Sequence, residues 1–296
     1  MTPLEEAELY GRRVLLKRED THELGSFKWR GALPTLEEYR RNGVETVITA
    51  STGNHGASTA WAANRLGMRV VVFASEGTSH TKTELMGRLG ADVRLVGADF
   101  DEAKAEAERF AAEAGVLFVD GMERAQYEGY SAIGEEILDQ AKEPPAAVVV
   151  PVGNGALLGG IGIGVWRRAP QVERVGVVAK AAPVMALSWE AGEPVESLTS
   201  ATFADGLAVR VAIPQAVEVL GEFASRMLEV SEREIAYAVG AYADAGIRAE
   251  GAAGAALAAL PQLDDLGDPL VLVVTGRNID DELFTRVREQ PDSFPA

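Results

Sequence analysis

Lys28 stands between Phe27 and Trp29 in "LGSFKWRGA", just after Ser26. Two large apolar rings can strip water from an amine, which lowers its pKa and makes it a nucleophile. The plain alternative is a surface lysine with its ammonium in water. Three further stretches bear on that choice. In "TASTGNHGAS" a β-rich run gives way to Ser51, Thr52, Gly53, Asn54 and His55, then to a helical pattern. Hydroxyls, an amide and the N–H groups of a helix start suit a carboxylate or a phosphate, or they merely cap a βα turn. In "VVVPVGNGALLGG" the residues Gly153, Asn154, Gly155, Ala156 and Leu157 let backbone N–H groups approach an anion closely, or let a helix pack on a sheet. In "VLVVTGRNID" Thr275 ends a buried run. It sets a hydroxyl at the carboxyl edge of a sheet, where ligands of open α/β folds gather, unless it is only a strand end.

A desolvated lysine beside a phosphate cradle is what pyridoxal phosphate needs when it is held as a Schiff base. A dinucleotide is the weaker reading. Leu158 occupies the third glycine position of G-x-G-x-x-G, and the next strand ends in Val178, Ala179 and Lys180, with no acidic residue for a ribose hydroxyl. The glycine loop therefore predicts phosphate without a dinucleotide.

The elements that must position these residues read as α/β. The runs 14–17, 46–50, 69–75, 92–97, 116–120, 147–152, 174–179 and 270–275 are short, apolar and rich in β-branched residues. Continuous apolar runs suit parallel strands covered on both faces. Phe100, Ala103, Ala107, Phe110, Ala111 and Ala114 form one face of a crossover helix. No low-complexity linker divides the chain, so any second domain must arise from sheet topology.

Composition narrows the chemistry further. The chain has 296 residues, 47% hydrophobic and 25% charged, with a net charge of -17, so no nucleic acid or anionic membrane is expected as a partner. Without cysteine, thiolate metal sites and cysteine nucleophiles are excluded, and His22, His55 and His80 are too scattered for a local metal motif, so no metal is expected. The uncharged run 146–166 could span a bilayer by length, but Pro151, Asn154 and its glycines suit a strand, a loop and a helix start. The acidic N-terminus lacks a secretory signal, and a cytoplasmic protein is expected.

At these residues the chain resembles the fold type II pyridoxal-phosphate enzymes, and within them the threonine/serine dehydratases. "LKREDTHELGSFKWRGA" is similar to their cofactor-lysine motif, "ASTGNHG" to their substrate-carboxylate loop and "VPVGNGALLGG" to their phosphate loop. "TFADGLAV", "EGAAGAALAAL" and "TGRNID" follow in the family's order, the second with its late glutamate. The resemblance implies two open twisted α/β domains of the tryptophan synthase β-subunit-like architecture. The large cofactor domain would comprise 1–41 and 130–296, and the small domain 42–129 would carry the carboxylate loop.

It also implies roles for the motif residues. Lys28 would hold pyridoxal 5'-phosphate, with Phe27 against the ring and Asn54 on the phenolic oxygen. Gly153, Asn154, Gly155, Ala156 and Leu157 would wrap the phosphate, and Thr275 would face the pyridine nitrogen and leave it largely unprotonated. Ser51, Thr52, Gly53 and His55 would bind a small amino-acid substrate. The implied reaction is β-elimination to a 2-keto acid and ammonia, by a homodimer.

Some residues depart from the dehydratase pattern. Thr52, as "STGN", and "YEGYSAIGEEI" lean toward threonine synthases, and Arg277 replaces a glycine. It would reach toward the cofactor or a substrate acid, or else face solvent. Neither a helical segment ahead of the matching "TPL" nor a regulatory domain after residue 296 is expected. A γ-replacement on O-phosphohomoserine, an amino-acid racemase using Thr52 as opposite-face acid, and a non-catalytic cofactor-binding protein remain alternatives.

Overall fold

A computed structural model describes residues 1–296. The strands are β1 (Leu4–Leu9), β2 (Arg12–Arg18), β3 (Thr46–Ala50), β4 (Arg69–Ala74), β5 (Asp92–Leu95), β6 (Leu117–Phe118), β7 (Ala147–Pro151), β8 (Glu173–Ala179), β9 (Arg226–Val230) and β10 (Leu270–Val274). The helices are α1 (Trp29–Arg41), α2 (Asn54–Arg65), α3 (His80–Arg88), α4 (Phe100–Ala114), α5 (Arg124–Gln140), α6 (Ala156–Arg168), α7 (Val184–Ala191), α8 (Pro214–Phe223), α9 (Glu232–Asp244), α10 (Gly251–Ala258) and α11 (Asp281–Glu289). Their ends follow local chemistry. Asp99 caps α4 by accepting the Glu102 N–H at 2.9 Å, and Gly115 ends it at φ 63°. Ser231 and Glu234 close a reciprocal capping box on α9.

The chain forms two units, Met1–Phe27 with Tyr130–Ala296, and Lys28–Gly129. The first crossing falls at Phe27–Lys28 and not after residue 41. Helix α1 buries Ala32 and Leu36 in one apolar cluster with Val47 of β3, Ala57 of α2 and Val119, so its packing assigns it to the smaller unit.

The larger unit holds a six-stranded sheet in the order β1-β2-β10-β7-β8-β9. All its pairs are parallel except β1 with β2, where Leu4 lies opposite Lys17 and Leu9 opposite Arg12. Every residue of β7 and β10 is buried, as their apolar runs require. Helix α10 contains only Gly, Ala and Leu and is buried along its whole length. A Cβ on Gly254 would come within 2.7 Å of Val239 Cγ2, so the glycine lets α9 and α10 approach closely.

The smaller unit holds a four-stranded parallel sheet in the order β5-β4-β3-β6. The loops after β3 and β6 therefore leave the same edge. One lysine inside the larger unit is wholly buried. Lys17 Nζ donates to Glu136 Oε2 at 2.6 Å, Thr2 O at 2.8 Å and Gln140 Oε1 at 2.9 Å, joining β2, the N-terminal segment and α5. The 146–166 run resolves into β7, a loop and α6, and no helix is long and apolar enough to cross a membrane.

Candidate active site

In the larger unit, the carboxyl ends of adjacent strands β7 and β10 place the glycine loop and Thr275 on one edge of the sheet. The loop runs straight into α6, whose N-cap is Gly155 at φ 92° with no side-chain cap. The first amides of a helix have no intrahelical acceptor, so those of Gly155 and Leu157 are available to an anion. Asn154 bends the turn by accepting the Ala156 N–H at 3.2 Å. A Cβ on Gly153 would lie 2.3 Å from Gly206 O, and one on Gly155 would lie 2.9 Å from Leu220 Cδ1. Neither position has room for a side chain, so the loop keeps its backbone bare.

The same corner gathers segments far apart in sequence. A Cβ on Gly206 would meet Ala252 at 3.0 Å, and one on Gly251 would meet Ala204 Cα at 2.9 Å. The "TFADGLAV" and "EGAAGAA" stretches therefore pack backbone to backbone beside the loop. Phe203 is held there by its N–H donating to Glu232 Oε2 at 2.8 Å.

Thr275 Oγ1 donates to Glu250 Oε1 at 3.1 Å, and both residues are buried. The Phe27 N–H donates to Thr275 O at 3.0 Å, and Ser26 bridges Gly276, so the residues just before Lys28 lie along the end of β10. Phe27 is buried edge-on against Tyr130, with ring centroids 5.2 Å apart. Ser26 Oγ is buried without a hydrogen-bond partner. Arg277 Nη1 donates to Asp20 O at 2.6 Å, its N–H donates to Gly25 O at 2.8 Å, and Asn278 Nδ2 donates to Leu24 O at 2.8 Å. Arg277 therefore braces the turn ahead of Phe27.

The smaller unit holds the other candidate residues. Lys28 is half-buried at the start of α1, and its carbonyl accepts the N–H groups of Gly31 and Ala32. Trp29 stands edge-on to Trp61 of α2, 6.3 Å between centroids, with the Arg30 guanidinium 4.9 Å from its ring. Ser51, Thr52 and Gly53 form the turn between β3 and α2, in which Ser51 Oγ accepts the Gly53 N–H at 3.1 Å. Gly53 caps α2 without a side chain, so the amides of Asn54 and His55 open the helix toward an anion. A Cβ on Gly56 would strike Met86 Sδ at 2.6 Å, and only glycine lets this first turn settle on the sheet.

His55 Nε2 lies 3.0 Å from Thr49 Oγ1, which donates its one proton to Val119 O at 2.8 Å. Burial, together with the nearby Lys28 charge, pushes the His55 pKa down to about 4. The imidazole is neutral near pH 7. Sequence reading missed Thr49, a hydroxyl inside an apolar strand, which was the available signal. It also gave Glu250 no place in the site, although the resemblance had noted a late glutamate there.

These features define an open α/β protein with an uncapped helix start, fit for an anion, at the carboxyl edge of each of its two sheets. Residues 1–276 match the family described as pyridoxal-phosphate dependent enzymes, and the chain belongs to that family. It is 34% identical over 289 residues to the L-threonine ammonia-lyase of Geobacter sulfurreducens, covering 96% of this chain and 72% of the relative. It is 33% identical over 288 residues to the L-threonine ammonia-lyase of Thermotoga maritima, covering 95% and 71%. The processed form of threonine deaminase isoform 2 from Solanum lycopersicum superposes with a TM-score of 0.91 at 30% identity, over 97% of this chain and 87% of that one.

The cofactor is pyridoxal phosphate. The residues present fit it: a glycine loop whose positions 153 and 155 leave no room for a Cβ, an α6 start whose N-cap is a glycine, and buried hydroxyls at Ser26 and Thr275 around the same strand end.

Proposed function

We propose that the chain is an ammonia-lyase that converts threonine or serine to a 2-keto acid and ammonia by β-elimination. The observation that carries it is the 3.0 Å hydrogen bond from the Phe27 N–H to Thr275 O. It fixes the residue next to Lys28 at the strand end that borders the glycine cradle.

On this reading Lys28 Nζ holds the cofactor covalently, and Gly153, Asn154, Gly155, Ala156 and Leu157 bind its phosphate. Asn54 would take the phenolic oxygen, Phe27 would support the ring and Thr275 would meet the pyridine nitrogen. The bound cofactor supplies an electron sink for the negative charge that develops at the substrate α-carbon. Ser51, Thr52 and Gly53, with the first amides of α2, hold the substrate carboxylate. Neutral His55 fixes that turn from beneath. Lys28 Nζ, as a free amine, would accept the substrate α-proton as a general base. The reading extends to a homodimeric, cytoplasmic protein, and sedimentation velocity tests the dimer.

Purified protein with pyridoxal phosphate should release 2-keto acid and ammonia in equal amounts from threonine or serine. Borohydride should fix the cofactor mass on the peptide containing Lys28. Phosphate released from O-phosphohomoserine without ammonia would replace the lyase by a γ-replacement enzyme. Interconversion of serine enantiomers without keto acid would replace it by a racemase.

A further inference from the structure

We propose that Asp205–Gly206 is a self-modification site, where the backbone rearranges through a succinimide to isoaspartate and disturbs the glycine loop beside it. The effect on the cofactor rests on the phosphate placement proposed above. The rearrangement depends only on the geometry of these two residues.

Two Asp–Gly pairs occur in the chain, Asp120–Gly121 and Asp205–Gly206. A glycine after the acid offers a backbone nitrogen that no side chain shields. The first pair is held away from reaction. Asp120 Oδ1 accepts the Met122 N–H at 2.9 Å, one residue beyond the glycine, and Gly121 is buried. At Asp205 the side chain instead meets its own glycine, with Oδ1 accepting the Gly206 N–H at 2.9 Å. Asp205 and Gly206 are both exposed, so water reaches them. Folding has therefore turned the nitrogen and the carboxyl group toward each other, as a near-attack pair requires.

The neutral carboxyl form reacts. The Gly206 nitrogen bonds to Asp205 Cγ, the carboxyl C–OH bond breaks, and the departing hydroxyl takes the amide proton and leaves as water. Water then reopens the ring. Attack at Cγ returns aspartate. Attack at the Asp205 backbone carbonyl breaks its bond to the Gly206 nitrogen and yields isoaspartate, with the chain running through Cγ and lengthened by a carbon. No oxidant or reductant takes part. The segment has no slack to absorb that carbon. Ala204 and Leu207 on either side are buried, and a Cβ on Gly206 would meet Ala252 at 3.0 Å. Gly206 O already fills the space that a Cβ on Gly153 would need. The longer backbone therefore presses on Gly153 and shifts the loop.

The test ages the full chain, loaded with pyridoxal phosphate, for days in warm neutral buffer. Labelling with an isoaspartate methyltransferase, followed by peptide mapping, locates the product. Position 205 should carry at least about tenfold more isoaspartate than position 120. After removal of the cofactor, fluorescence titration should show pyridoxal phosphate binding the isoaspartate form about tenfold more weakly. Asp205→Glu, whose longer side chain closes a larger ring far more slowly, should age with neither change. Prolonged treatment with the methyltransferase and S-adenosylmethionine should return aspartate and restore affinity in the aged wild type. Isoaspartate no more abundant at 205 than at 120 overturns the proposal. So does isoaspartate at 205 with unchanged affinity in a protein whose Gly153→Ala variant binds the cofactor weakly. If Gly153→Ala also binds normally, the phosphate placement has failed and the effect on the cofactor falls with it.

Discussion

His55 Nε2 donates to Thr49 Oγ1 across 3.0 Å, because the Thr49 hydroxyl has already given its proton to Val119 O. The neutral ring is thereby fixed as the Nε2–H tautomer, with Nδ1 as the bare acceptor. A Cβ on Gly121 would come within 3.3 Å of His55 Cε1, so the β6 loop closes over the ring.

A pH dependence follows. The folded pKa of about 4 lies below the ordinary 6.5, so between these values the unfolded chain binds a proton that the fold does not. Stability from this group is complete above about pH 6.5, falls with decreasing pH, and levels off below about pH 4. The expected loss is on the order of 3 kcal/mol. Urea titrations of wild type and His55→Gln across this range should differ in slope. Because the Lys28 charge lowers the His55 pKa, Lys28→Ala should raise it in a proton NMR titration. An unmoved His55 resonance would show that the two groups are not electrostatically linked.

The cradle predicts a sharp response to one methyl group. Gly153→Ala would bring Cβ to 2.3 Å from Gly206 O, a backbone atom that cannot swing aside. Overpacking of this kind costs about 1–3 kcal/mol, and the displaced loop should weaken cofactor affinity by at least about tenfold. Fluorescence titration with pyridoxal phosphate reads the second effect. Gly221→Ala, where a Cβ meets nothing within 4 Å, is the control and should leave affinity unchanged.

Buried Lys17 is a stability determinant away from the chemistry. Its ammonium is satisfied by Glu136, Thr2 O and Gln140. Glu136→Gln would remove the carboxylate 2.6 Å from a buried cation and should cost about 3–5 kcal/mol by chemical denaturation. Lys17→Met together with Glu136→Leu removes both charges and should recover most of that loss. A double variant as unstable as the single one would mean that shape, not charge, dominates there.

What was legible in the sequence tracks burial on both faces. β3, β7 and β10 are continuous apolar runs because a parallel sheet covers them on each side. β1 and β9 escaped notice because they are the two edges of the larger sheet: Glu5, Glu6 and Glu8 fill β1, and β9 mixes Arg226 and Glu229 with apolar residues. The glycine loop was readable because glycine is required where backbones nearly touch, as at Gly153 and Gly206. The unit to which α1 belongs was not readable, since an amphipathic pattern tells that a helix packs but not on what. The Glu250–Thr275 pair was hidden for the same reason, being 25 residues apart and joined only by the fold.

Arg277 offers the last test, because its position in the motif suggested contact with cofactor or substrate. The structure instead fixes its guanidinium on Asp20 O at 2.6 Å, while the backbone N–H of Arg277 and the Asn278 amide hold Gly25 O and Leu24 O. Gly25, at φ 66°, turns the chain toward Ser26 and Phe27, and its absent Cβ makes room for Asn278 Oδ1, which would otherwise be 2.5 Å away. The arginine thus braces the approach to Lys28 from outside. A charged donor of this type contributes about 1.5–3 kcal/mol, and Arg277→Ala should lower stability by an amount in that range. The KM for threonine or serine should stay within about twofold, since a lost contact to a substrate carboxylate would raise it tenfold or more. A large KM increase at unchanged stability would place this guanidinium on the substrate and not on the turn.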